Sequence, residues 1–174
     1  MSFVIRHSRF VIHFCRVVIR HSAPYTALVP ISKHQSRQIA LQILFAWDAA
    51  GAAEDPMALK IAEDASNDVD IRLRAIEWAR AAWNMRDVLD QKMEQLAPQW
   101  PPRRQPAVDR NILRLAAWEL LSTQTPPKVV IDEAIELAKQ FSTENSPAFV
   151  NGVLDAILRE KQGITTERRS DEAT

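Results

Sequence analysis

From about residue 36 onward the chain alternates apolar and polar positions with a helical period. Ile39, Ala40, Ile43, Leu44, Ala46 and Trp47 recur at the three- and four-residue spacing that lines one face of a helix, which predicts a helix from Ser36 to about Gly51. Asp55-Pro56 places a capping acid before a proline and opens a short helix through Ala65. Asp68 caps a longer run to about Asn84, whose apolar face is Ile71, Ala75, Ile76, Ala79 and Trp83; Val88, Leu89, Met93 and Leu96 predict another helix, closed by Pro98.

The next run, Val108 to Leu121, is apolar almost all round. Such a helix belongs in the middle of a bundle, with the charged residues of its first turn near the surface. Pro126-Pro127 opens a helix with Val130, Ala134, Leu137 and Phe141 inward and Asp132, Glu133, Glu136, Lys139 and Gln140 on the wet side. Ser146 caps the last helix, Pro147 sits in its first turn, and Val150, Val153, Leu154, Ile157 and Leu158 form its stripe. No segment sustains the period-2 alternation of a strand, so the class is all-α, with about seven helices in one bundle-type domain or two small bundles sharing a core.

The first thirty residues follow a different rule. Phe3 to Arg9, Phe10 to Arg16 and Val17 to Ala23 repeat every seven residues, with apolar triplets between basic clusters. The pattern is neither the a/d seam of a coiled coil nor the unbroken apolar core of a signal peptide. It reads as translated repetitive DNA in an over-extended reading frame, with a native start near Leu28 or Val29. The expected organisation is a leader over 1–31, a folded domain over 32–162 and a polar tail over 163–174.

Composition narrows the chemistry. Of 174 residues 47% are hydrophobic, enough for one sizeable core, and the 22 basic residues balance 22 acidic ones. A nucleic-acid contact must therefore come from local patches and not from overall charge. No stretch approaches the ~18 consecutive apolar residues of a membrane span. Cys15 is the only cysteine, which excludes an intrachain disulfide and fits a reducing, cytoplasmic compartment. The histidines are His7, His13, His21 and His34, so from Gln35 onward the chain lacks the usual ligands for zinc, haem or iron–sulfur clusters, a Cys–His dyad and a Ser–His–Asp triad. No two glycines lie close enough for a phosphate-binding loop. The carboxylates Asp132, Glu133, Glu136 and Asp155 read as the solvated face of amphipathic helices. No cofactor and no catalysis are expected.

Three segments carry binding chemistry. Ser32 to Gln38 sets Lys33, His34 and Arg37 at a helix start, where free N–H groups and the helix dipole also favour phosphate. Gln99 to Gln105 places Trp100 beside Arg103 and Arg104, a combination that stacks on an unpaired base and holds its phosphate, although a rigid connector with a core tryptophan has the same composition. Phe141 to Ser146 is a polar loop before the last helix, followed by Phe149, which shares the helix spacing of Val153. Gly152, inside a helical run, costs roughly 1 kcal/mol relative to alanine and implies close approach by a neighbouring helix or a partner.

The blocks Asp109 to Leu121, Pro126 to Ala134 and Phe149 to Leu154, together with Gln38 to Trp47, closely resemble the NusB family of transcription antitermination factors over about Ser36 to Lys161. The resemblance implies two three-helix-like bundles packed across each other. It also implies an adaptor that binds the boxA element of nascent ribosomal RNA together with NusE, a small-subunit ribosomal protein, at an RNA polymerase elongation complex carrying other Nus factors. On that reading Lys33, Arg37, Gln38, Arg103, Arg104, Asn145 and Phe149 are candidate RNA contacts, and Phe45, Asp109 and Arg110 candidate partner contacts. The family usually has an arginine-rich tract where this chain has only Lys33, His34 and Arg37, and commonly an acidic residue at Asn145. Two rivals stay open: a helical protein–protein adaptor without an RNA role, and a stand-alone relative of the N-terminal domain of an rRNA cytosine methyltransferase, whose cofactor-binding loop and catalytic cysteine are missing here.

Overall fold

The computed structural model describes residues 31–163; all but the last residue of the expected leader and all but the first of the expected tail lie outside them. Seven α-helices and one short 3-10 helix, with no strand, make up the described residues: α1 Ile31–Ala50, α2 Asp55–Ala65, α3 Val69–Asn84, α4 Arg86–Leu96, the 3-10 turn Pro102–Arg104, α5 Ala107–Ser122, α6 Pro127–Phe141 and α7 Ser146–Lys161. None of these helices is long and apolar enough to cross a membrane.

Helices α1, α2 and α3 pack on one another, and so do α5, α6 and α7; α1 and α3 lie across α5, and α4 bridges α5 and α7. Two three-helix groups therefore share one core, the second of the two arrangements that periodicity left open and the one the family resemblance implies. Helix α3 buries Ala75, Ala79 and Ala82 completely, and these small side chains leave room for close packing. Trp47 of α1 meets Trp83 of α3 edge to face, with ring centroids 5.9 Å apart. Helix α5 is buried from Ile112 through Leu120, as expected of a central helix.

Most helix ends follow their local signals. Asp68 Oδ1 accepts from the backbone N–H groups of Asp70 at 2.9 Å and Ile71 at 3.2 Å, so the predicted cap of α3 forms. Pro56, Pro127 and Pro147 each sit in the first turn of their helix. Five details differ. Asp55 is the first residue of α2 and not its cap; Glu54 stands at that position, and no side chain caps the helix. Helix α1 begins at Ile31, five residues before Ser36, and Ser36 is completely buried inside it. Ser146 is the first residue of α7 and not its cap; its hydroxyl faces Asp109 instead. Val88, one of the apolar residues that predict α4, is 61% exposed. Gly152 lies on an open face, and a Cβ added there meets nothing within 4 Å, so no neighbouring helix accounts for it.

Candidate RNA and partner interface

The polar residues inside the bundle form three networks, and two of them hang on α1. At its start, Arg37 donates to Glu119 of α5 through Nε at 2.9 Å and Nη2 at 2.6 Å, and its Nη1 lies 3.5 Å from Glu133 of α6. The guanidinium also sits 5.3 Å from the ring centroid of Trp78, which in turn packs on Trp118. His34 joins through Nδ1, 2.7 Å from Glu133 Oε2, while Gln38 Nε2 lies 3.1 Å from His34 Nε2. An amide nitrogen only donates, so His34 Nε2 is the acceptor and Nδ1 carries the hydrogen that goes to Glu133. Burial pushes the Glu133 carboxyl up, but the His34 hydrogen bond and the Arg37 charge outweigh it and hold it below the usual carboxylate range.

At the other end of α1, Asp48 stands near the helix C-terminus, where the dipole disfavours a carboxylate. Three groups compensate. Arg110 Nη2 reaches Asp48 Oδ2 at 2.5 Å, Arg114 Nη1 reaches Oδ1 at 2.8 Å, and Asn111 Nδ2 reaches Oδ2 at 3.1 Å. Arg114 turns its other edge to Asp90 of α4, with bonds of 2.8 and 2.6 Å. Burial raises the Asp48 carboxyl, and the two arginines more than reverse that, leaving it below its ordinary value. Arg110 also donates to the carbonyl oxygen of Pro102 at 2.9 Å, which ties the 3-10 connector to the end of α1.

The third network fastens the loop from α6 to α7 to the first turn of α5. Asp109, only 3% exposed, accepts from the hydroxyl groups of Ser142 and of Ser146, the latter at 2.8 Å. Gln38 Nε2 donates across to Gln140 Oε1 at 2.8 Å, fastening the end of α6 to the first turns of α1. In order along α1 come Lys33 and His34, then Gln38 beside Gln140, and Asp48 with the connector. Lys33 and Asp48 are fifteen positions apart, about 22 Å of helix. The loop carrying Asn145 borders the same first turn of α5 that holds Asp109 and Arg110.

The candidate residues divide sharply on this frame. Lys33, Arg103, Arg104 and Asn145 are exposed, Gln38 is half-buried, and Phe149 packs partly on the core. Arg37 is 2% exposed and bound by Glu119 through Nε and Nη2, so the expectation of a surface cation there is corrected: it is an internal strut. Phe45 at 7% and Asp109 at 3% also lie inside, Arg110 is half-buried against Asp48, and Glu133, expected on the wet face of its helix, is 8% exposed. Sequence reasoning missed Asp48 and Glu119 as hubs. Their signal was present: a glutamate inside an otherwise apolar helix, and an acid at a helix C-terminus, both demand cations from elsewhere.

A model described as the NusB family matches residues 34–159. The chain belongs to the NusB family. It is 44% identical over 139 residues to the transcription antitermination protein NusB of Solibacter usitatus, covering 74% of this chain and 90% of that protein. Over 133 residues it is 40% identical to the protein of the same description from Chloroflexus aggregans, covering 72% and 86%. Among solved structures, T. maritima NusB is 35% identical with a TM-score of 0.65, covering 74% of this chain and 91% of that one. The structure of antitermination factors NusB and NusE in complex with dsRNA includes a chain 28% identical to this one, with a TM-score of 0.66 and coverage of 76% and 99%. This chain is thus a NusB homologue along nearly the full length of its relatives, in sequence and in fold.

Proposed function

We propose that this NusB-family chain is a transcription antitermination factor that works in the cytoplasm by binding, without turnover. It takes the boxA element of nascent ribosomal RNA together with NusE and holds it at the RNA polymerase elongation complex with other Nus factors. Family membership supports the role. The observation that supports placing RNA here is a set of polar and cationic side chains: exposed Lys33 and half-buried Gln38 in the first turns of α1, exposed Asn145 on the loop before α7, and exposed Arg103 and Arg104 on the connector that Arg110 ties to the far end of α1. Lys33 and Arg104 make no ion pair among the described residues, so both cations are available to phosphate.

Arg37, Asp109 and Arg110 act in this reading as positioning residues. Arg37 fixes the start of α1 against α5 and α6, Asp109 holds the Ser142 to Ser146 loop, and Arg110 holds the connector. One observation favours the rival protein-only adaptor: Arg37, Arg110 and Arg114 are all bound by internal carboxylates, which leaves the positive surface thin. The two readings separate in one titration. A boxA RNA added to the protein, with and without NusE, binds in the first and fails to bind in the second.

A further inference from the structure

We propose that Trp100 is a stacking site for an unpaired RNA base, beyond the stretch of RNA that covers Lys33 and Gln38. The inference rests on the RNA-binding reading above and extends it to the far end of α1. Trp100 is 50% exposed, whereas Trp47, Trp83 and Trp118 are buried and Trp78 packs against Trp118. An indole so exposed contributes little to the core. Its mount is nevertheless rigid: the Trp100 N–H donates to the carbonyl of Ala97 at 2.9 Å, and Gln105, itself 4% exposed, donates through Nε2 to the Trp100 carbonyl at 2.9 Å. Pro101 and Pro102 are buried next to it, with their φ fixed by their rings. The ring is thus held out to solvent by a backbone that has already lost its freedom, which lowers the cost of binding a flat ligand.

The surroundings favour a nucleic acid over a protein. Gln95, Pro98, Gln99, Arg103, Arg104 and Pro106 are exposed around the ring in sequence, and none of them is a large hydrophobe. A protein hot spot gathers large apolar neighbours that exclude water, and none stands among the exposed residues that flank Trp100 in sequence. What it has is two arginines within four residues. Arg103 shares an exposed ion pair with Glu94 at 3.0 Å, which a phosphate can replace, and Arg104 has no ion pair among the described residues. A base has a face for the indole and a phosphate for the guanidinium groups. Arg110 ties this mount to Asp48 at the end of α1, so RNA lying along that helix runs toward it.

The test titrates the full chain with a single-stranded boxA RNA and with the same RNA lengthened by unpaired nucleotides at either end. Lengthening at one end is expected to tighten binding roughly tenfold, from one added stacking contact. Trp100→Ala and Trp100→Leu lose that gain and keep the affinity for the short RNA, while Trp100→Phe retains most of it; the leucine variant preserves apolar bulk, so a purely structural role would leave the gain intact. An undiminished gain in the alanine and leucine variants, or none in the wild type while the short RNA still binds, overturns the stacking site alone. Failure of the short RNA to bind overturns the RNA reading and this inference with it. Loss of NusE binding in the variants with the RNA gain intact would assign the ring to a protein contact and refute the proposal.

Discussion

Arg37 and Glu119 face each other as a two-pronged ion pair inside the bundle, with bonds of 2.9 and 2.6 Å and side chains only 3% and 1% exposed. The residue that reads as an RNA-binding cation in sequence is therefore a buried joint between α1 and α5. Removing one partner leaves the other charge unpaired in a low-dielectric site, a loss of about 3–5 kcal/mol. We expect Arg37→Ala to lower the unfolding free energy measured in urea by that amount, and Arg37→Lys to recover only part of it, because an ammonium cannot make the fork. Lys33→Glu, in contrast, is expected to leave the melting temperature nearly unchanged and weaken RNA binding. A fully stable Arg37→Ala protein would show that the pair is not structural.

Acid is expected to loosen the same joints. Asp48 and Glu133 both hold their carboxyls below the ordinary values of 3.8 and 4.5, so the folded chain binds fewer protons than the unfolded chain in that range. Their contribution is complete above about pH 5 and is lost as the pH falls through the lower folded values. Denaturation midpoints measured from pH 6 down to 3 should therefore fall, and Asp48→Asn should flatten the acid limb while lowering stability at neutral pH. An unchanged acid limb in that variant would remove Asp48 from the explanation.

The loop before α7 depends on a buried acceptor. Asp109 takes hydrogen bonds from Ser142 and Ser146, and Ser146 is 3% exposed. Replacing Ser146 with alanine strips a donor from a buried carboxylate, a cost of about 1–3 kcal/mol. Hydrogen exchange of residues 142–149 should accelerate more than that of α3. Uniform acceleration across the chain would point to global loosening and not to a local fastening.

Much of this architecture was legible in the chain because helices announce themselves through spacing. The cap at Asp68, the prolines at positions 56, 127 and 147, and the all-round apolar run of α5 each act within a few residues, so period and capping rules read them directly. The candidate site was harder, for a physical reason. Whether an arginine is a surface cation or an internal strut depends on a carboxylate far away in sequence: Glu119 lies 82 positions from Arg37, and Asp48 lies 62 from Arg110. Local pattern cannot see such pairings, and it assigned Arg37, Asp109 and Glu133 to the surface by charge alone. Gly152 was ambiguous for a different reason, since a glycine in a helix signals close approach without saying whether a neighbouring helix or a partner makes it.

Gly152 gives a direct check. With open space where a Cβ would stand, Gly152→Ala should stabilise α7 by up to about 1 kcal/mol through helix propensity. Gly152→Leu should also fold. If the leucine variant folds yet loses NusE or RNA, the partner half of the close-approach idea holds. Unfolding of the alanine variant would contradict the open face.

The most direct measurement is the affinity of the chain for a boxA RNA across a range of salt concentrations, with and without NusE. Log affinity is expected to fall linearly with log salt, with NusE tightening binding at every concentration. The slope should shrink by roughly 0.7 for each of Lys33→Glu and Arg104→Glu, the loss of one phosphate contact to a single strand. Absence of binding at low salt even with NusE present, or binding that neither salt nor these two reversals alter, would contradict an RNA face along α1.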